Sequence, residues 1–304
     1  MLKFKSFNKE TGFLFYGLTP PKLNTEEEKV INIANKQIER LTGVDIDALV
    51  LYDVQDESSR TDTPRPFPYL PTLAPDIYSN QFLKELKVPK IIYKSIGKFT
   101  HDEFRKWISQ PNGGVDFAVF VGSPSTSHVT SLSLHDAYKI KQESNSQIVL
   151  GGVTIPERHS KKGDEHIRVF DKMDRGCSFF ISQCVYSTNN TKNFLSDYYY
   201  TSLETNRKLV PIIFTLTPCG SLKTLEFMEW LGIDIPKWLN NDLKHSNDIL
   251  SKSIEMCKNI ATELIDFSKN KNIPIGFNIE SVAIRKEEIE ASIELLKNIK
   301  NLMV

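Results

Sequence analysis

The chain has 304 residues, enough for one large domain or two small ones. Its 38 basic and 38 acidic residues cancel, so no net field recruits nucleic acid or an anionic membrane. Forty per cent apolar and 10% aromatic content describes a globular chain with a sizeable core. Four cysteines (Cys177, Cys184, Cys219, Cys257) form no CxxC pair and no metal-ligand spacing, which fits a reducing compartment. The N-terminus lacks the apolar run of a secretory signal, and no apolar stretch is long enough to span a bilayer, so a soluble cytoplasmic protein is expected.

Strand-like and helix-like segments alternate along the chain. Residues 13–17 read as a first strand, closed by Thr19-Pro20-Pro21. Thr25 and the glutamates after it cap a helix whose apolar face includes Val30, Ala34, Ile38 and Leu41. Further strands are expected at 47–52, 89–93, 115–121, 147–153, 177–181, 210–214 and 273–279. Helices are expected at 77–86, 100–108, 134–142, 164–173, 194–204 and 286–299, and over 221–269 with breaks at Gly232 and Pro236.

Eight strands alternating with helices predict an α/β fold, a single (β/α)8 TIM barrel over residues 1–304. No GxGxxG or P-loop follows any strand, which counts against an open doubly wound sheet. The irregular stretch 53–75 reads as a long βα loop over the active face.

In such a barrel the C-terminal strand ends build the site. They are mostly polar and uncharged and include no histidine, which disfavours a metal hydrolase. Lys94 is the one lysine available for Schiff-base chemistry. Asp53 and Glu280 are the carboxylates there. An apolar pocket would raise the pKa of one of them and fit it to donate a proton; alternatively Arg60 or Arg65 holds Asp53, and Arg285 holds Glu280. Gln183, with two donors and an acceptor, suits the edge of a flat heterocycle, or else closes its strand with a turn hydrogen bond. The loop after strand four, with Gly122 and Ser123, offers backbone N–H groups and hydroxyls for a cofactor phosphate. Arg158, His159, Lys161 and Lys162 concentrate positive charge near the same rim, for a phosphate or a polyglutamate tail or as a solvated loop. The Tyr198-Tyr199-Tyr200 run reads as packing or partner surface.

Several segments in order resemble the methylenetetrahydrofolate reductase family over nearly the whole chain. They are Thr19-Pro20-Pro21, Val119-Phe120-Val121-Gly122, Ile155-Pro156-Glu157-Arg158-His159, Lys172-Met173-Asp174-Arg175-Gly176 leading to Gln183, Ile235-Pro236-Lys237-Trp238, and Gly276-Phe277-Asn278-Ile279-Glu280. The resemblance implies a (β/α)8 barrel that reduces 5,10-methylenetetrahydrofolate to 5-methyltetrahydrofolate with NADH or NADPH, through bound FAD in most members. It implies that Gln183 meets the pterin, and that Gly122, His159 and Lys172 lie along the flavin.

The family places a glutamate, its general acid, where this chain has Gly17. An Arg-Gly-Asp sequence becomes Val121-Gly122-Ser123, and a histidine becomes Tyr93. Asp174-Arg175-Gly176, Gln183, Tyr186-Ser187 and Glu280 look closer to the flavin-independent branch. The expected site is then Glu280 and Tyr93 as acids, Gln183, Tyr186 and Asp53 toward the folate, and Gly122, Ser123, His159 and Lys172 toward the cofactor. A folate- or flavin-binding homologue without catalysis, or another pterin enzyme on the same barrel, is the alternative. Beyond reduced folate and nicotinamide, the partners left open are a second copy of the chain or a partner subunit.

Overall fold

A computed structural model describes residues 11–57, 61–110, 114–122 and 130–303. Eight parallel strands close a barrel in chain order: β1 Phe13–Leu18, β2 Ala48–Leu51, β3 Lys90–Ser95, β4 Phe117–Val121, β5 Val149–Thr154, β6 Cys177–Cys184, β7 Ile212–Leu216 and β8 Ile275–Glu280. The helices are α1 Glu27–Leu41, α2 Pro75–Phe82, α3 His101–Ser109, α4 Leu134–Glu143, α5 Pro156–Lys162, α6 Glu165–Asp174, α7 Thr188–Glu204, α8 Leu222–Trp230, α9 Lys237–Lys244, α10 Ile249–Lys269 and α11 Lys286–Met303. None of the described helices is long and apolar enough to cross a membrane.

Period-two alternation on the strands sorts side chains into two cores. Phe13, Phe15, Val50, Ile91, Val119 and Phe179 fill the barrel interior together with their neighbours. Leu14, Leu49, Leu51, Ile92 and Phe180 point outward against the helices. Each fully buried phenylalanine contributes about 1.5–3 kcal/mol. Gly151 and Gly152 on β5 make room for two of these rings. A Cβ on Gly151 would lie 2.4 Å from the Phe179 ring, and one on Gly152 2.6 Å from Phe180.

Three expectations need correction. Thr25 does not cap α1; Glu26 is the N-cap residue and makes no side-chain cap bond. The rim segment with Arg158 and His159 is a helix, α5, because Pro156 fixes its first turn and Gly163 ends it in the left-handed conformation (φ +66°). β6 runs past Ile181 to Cys184, so Gln183 lies within the strand. At α3 the expected start holds: the Thr100 hydroxyl accepts from the Glu103 N–H, and the Glu103 carboxylate accepts from the Thr100 N–H.

The β2–α2 connection reaches round the C-terminal rim. Its backbone bonds to the β1–α1 loop, through Leu23 N–H to the Pro71 carbonyl and Leu73 N–H to the Pro21 carbonyl. Farther round, the Trp230 indole donates to the Thr63 carbonyl (2.9 Å) and Phe67 packs edge-on against Phe227 on α8 (5.1 Å). The Arg65 guanidinium lies over both the Phe227 and Trp230 rings. This loop therefore ties the β2 side of the rim to the helix after β7, alongside the ends of β1 and β8.

Candidate active site

Gly17 on β1 is the register partner of Glu280 on β8. The space a side chain at Gly17 would take is filled by Tyr52, just past β2. A Cβ there would sit 2.8 Å from the Tyr52 hydroxyl and 3.2 Å from the Glu280 Cβ. The Tyr52 hydroxyl donates to the Glu280 carboxylate and accepts from Asn278 Nδ2 at 2.7 Å. Asn278 Nδ2 also reaches Thr215 Oγ1 (3.2 Å), which in turn donates to the Ser182 carbonyl (2.7 Å). A polar chain thus crosses from β8 through β7 to β6 at the top of the barrel.

Glu280 is half-buried by surface, yet its carboxyl is enclosed by protein. Desolvation raises its pKa to about 7, against the smaller opposing effect of the Tyr52 hydrogen bond. No ion pair reaches Glu280 among the described residues; Arg285, the expected partner, sits 3.7 Å from Glu288 instead. The carboxyl is therefore close to half-protonated at neutral pH, the state that suits a general acid.

Tyr93 faces the same space, edge-on to Tyr52 at 4.9 Å between ring centres. Burial and the Glu280 charge push its phenol far above the usual range, so it stays a neutral donor. Asn278 Oδ1 and Thr217 Oγ1 are fully buried and have no hydrogen-bond partner among the described residues. Such orphaned atoms at a barrel mouth are satisfied by a bound ligand or water. Gln183 gives one amide hydrogen to the Leu231 carbonyl (3.1 Å) and keeps its carbonyl oxygen free of protein partners among the described residues.

Other expected site residues are engaged elsewhere. Asp53 accepts from the Ser95 N–H (2.8 Å) and pairs with Lys98 at 2.5 Å, not with Arg65; Arg60 lies outside the described residues. It latches the end of β2 to that of β3. Tyr186 is buried and gives its hydroxyl to the Thr217 carbonyl, so it packs the β6–β7 end rather than facing a substrate. Lys94 points outward, fully paired with buried Asp76 at 3.1 Å, which removes the one Schiff-base lysine.

The described residues expected along a flavin make contacts within the protein. The Lys172 ammonium donates to the Val153 carbonyl (2.6 Å), a tie between α6 and β5, and burial lowers its pKa. His159 is buried with Nε2 3.0 Å from Asp197 Oδ2 on α7. The Gly122 carbonyl accepts from Gln55 Nε2 (3.0 Å), and a Cβ at Gly122 would make only ordinary contact with Leu134. Ser123 lies outside the described residues. Of the rim charges, Arg158 pairs with buried Glu165 at 3.4 Å, while Lys161 and Lys162 are exposed.

Asn278, Thr215 and Tyr52 together carry the site, and Asn278 had no signal at a strand end. Its signal was a lone amide at an inward position of an otherwise apolar strand. Glu157 also emerges only here. It is 4% exposed with no side-chain partner among the described residues, and burial raises it to about 8.

Fold and site define a closed (β/α)8 barrel with a desolvated carboxyl of raised pKa at its mouth. The family model for methylenetetrahydrofolate reductase matches residues 133–293, just over half of the chain. A solved structure described as an uncharacterized protein from Clostridium thermocellum that binds two copies of 5-methyl-5,6,7,8-tetrahydrofolic acid is 54% identical. The match covers 99% of each chain, with a TM-score of 0.87. The chain belongs to the methylenetetrahydrofolate reductase family. A GH113 β-1,4-mannanase, 12% identical over 96% of this chain and 99% of its own, has a TM-score of 0.51 and shares the fold alone. None of the curated proteins matches.

Proposed function

We propose that the protein binds a reduced folate at the barrel mouth and reduces 5,10-methylenetetrahydrofolate to 5-methyltetrahydrofolate, with Glu280 as the general acid. The observation that carries this reading is the position of Glu280. It stands at the level of Gly17, one strand over, with a pKa near neutrality and Tyr52 holding its carboxylate. Its proton opens the five-membered ring at nitrogen, leaving an iminium whose methylene carbon accepts hydride from NADH or NADPH. The methyl product is the compound bound by the Clostridium thermocellum relative. Gln183, through its free carbonyl oxygen, and the orphaned Asn278 Oδ1 are the groups that meet the pterin. Because His159 and Lys172 are occupied by protein contacts, hydride passes directly from the nicotinamide rather than through FAD.

A second reading, a folate-binding homologue without reductase activity, draws on Gly17, where the family acid is missing. One experiment separates the two. Nicotinamide oxidation is followed with methylenetetrahydrofolate, and folate binding is measured by calorimetry, for wild type and Glu280→Gln. Turnover in the wild type, lost in the variant with binding retained, supports the reductase. Folate binding without nicotinamide oxidation selects the second reading. An absence of folate binding overturns both.

A further inference from the structure

We infer a binding site for a divalent transition-metal ion on the outer helical layer, held by His159, His166 and Asp197. The three residues come from three helices, α5, α6 and α7, which pack on one another in the outer layer. Each offers one ligand atom, and these atoms lie within 4.8 Å of one another. Tetrahedral bonds of about 2.1 Å hold neighbouring ligand atoms about 3.4 Å apart. The His159 Nε2–Asp197 Oδ2 pair already stands at 3.0 Å, so a small rotamer change completes the geometry. The Asp197 side chain is 53% exposed and free to make it.

Two further observations point to a ligand. His159 is 6% exposed and its Nδ1 has no partner among the described residues; His166, edge-on to it at 5.3 Å, likewise has a buried Nδ1 without one. One His159–Asp197 hydrogen bond employs only one nitrogen of the two adjacent rings, and ligand atoms from all three side chains still converge within 4.8 Å. The Phe194 ring, 6.1 Å from His159, supports that imidazole from α7.

Two imidazoles and one carboxylate suit zinc, cobalt or nickel; magnesium and calcium prefer all-oxygen shells. With Asp197 at the surface, the remaining coordination position opens to water. The bound ion would bolt α5, the helix that carries Glu157, to α6 and α7. This site is independent of the proposed folate chemistry.

The test is zinc calorimetry on the metal-stripped chain, with cobalt absorption as a second probe. Variants are His166→Ala, Asp197→Asn and the exposed control His245→Ala. Buried His159 is left intact so that folding is preserved, and each variant's unfolding midpoint without metal is checked. We expect one zinc per chain, binding weakened at least tenfold in Asp197→Asn and abolished in His166→Ala, and no change in His245→Ala. Zinc should also raise the unfolding midpoint of the wild type and not of His166→Ala. Failure of the wild type to bind zinc stoichiometrically overturns the site. Equal binding by wild type, His166→Ala and Asp197→Asn also overturns it.

Discussion

Gly17 and Glu280 face each other across the β1–β8 seam as register partners, one bare and the other carrying a carboxyl. The family's acid position on β1 is empty, and a carboxyl stands at the same height one strand away, a sideways step of about 4.8 Å. Tyr52 occupies the volume beside Gly17 and hydrogen-bonds the Glu280 carboxyl. The three residues form one unit.

If Glu280 is the acid, Glu280→Gln lowers methylenetetrahydrofolate reduction by about a hundredfold to ten-thousandfold. In the wild type the acid must be protonated, and its pKa is about 7. The profile of kcat/KM should therefore fall as pH rises above that value, by about tenfold per unit. Steady-state rates from about one unit below that pKa to about two units above it check this. A flat profile would remove Glu280 from the mechanism.

Tyr52→Phe deletes the hydroxyl that stabilises the ionised form of Glu280. Losing it raises the carboxyl pKa further, so the falling limb should move to higher pH. The same pH–rate measurement on the variant decides the matter. Movement to lower pH, or none, means that Tyr52 does not hold the acid.

Gly17→Ala forces a Cβ to within 2.8 Å of the Tyr52 hydroxyl. The ring must shift, at a cost of about 1–3 kcal/mol. In a Tyr52→Ala background the same substitution should cost clearly less, since only the 3.2 Å approach to the Glu280 Cβ remains, giving a non-additive double-mutant cycle. Urea unfolding of the four proteins measures it, and additive costs would contradict the packing described.

Glu157 gives a stability prediction with a definite sign. Burial raises its pKa from 4.5 to about 8, with smaller same-sign contributions from Asp234 and Glu165 and opposing backbone N–H groups of Glu157 and Tyr186. The folded chain therefore keeps a proton that the unfolded chain releases between those values. Stability falls as pH rises through that window, by at most about 1.4 kcal/mol per unit. Glu157→Gln should flatten this dependence and leave the protein more stable than wild type at pH 8. Denaturant midpoints against pH, for both proteins, test the claim.

Short apolar runs alternating with helix-like segments were enough to find the barrel, because strands buried on both faces, such as 13–17, read as continuous apolar stretches. The missed helix α5 is short, and its polar residues gave no apolar periodicity; Pro156 and Gly163 were its only local marks. Glu280 was legible as a strand-end carboxylate, but its lack of a cation was not. Arg285, five residues on, turns to Glu288 on the next helical turn.

What the sequence by itself determined was the strand order, the family and the short set of residues at the strand ends. These follow from local pattern and from spacing along the chain. Only the tertiary structure decided which of those residues are available. Asp53, Tyr186, Lys94, His159 and Lys172 all carry suitable chemistry, yet each is engaged by a partner distant in sequence: Lys98, Thr217, Asp76, Asp197 and Val153. The reason is energetic. A buried donor, acceptor or charge left unpaired costs about 1–3 kcal/mol or more, so the fold pairs such groups wherever it can. Among the described residues, the single buried atoms left without a partner include Asn278 Oδ1 at the mouth and Nδ1 of His159 and His166 in the helical layer.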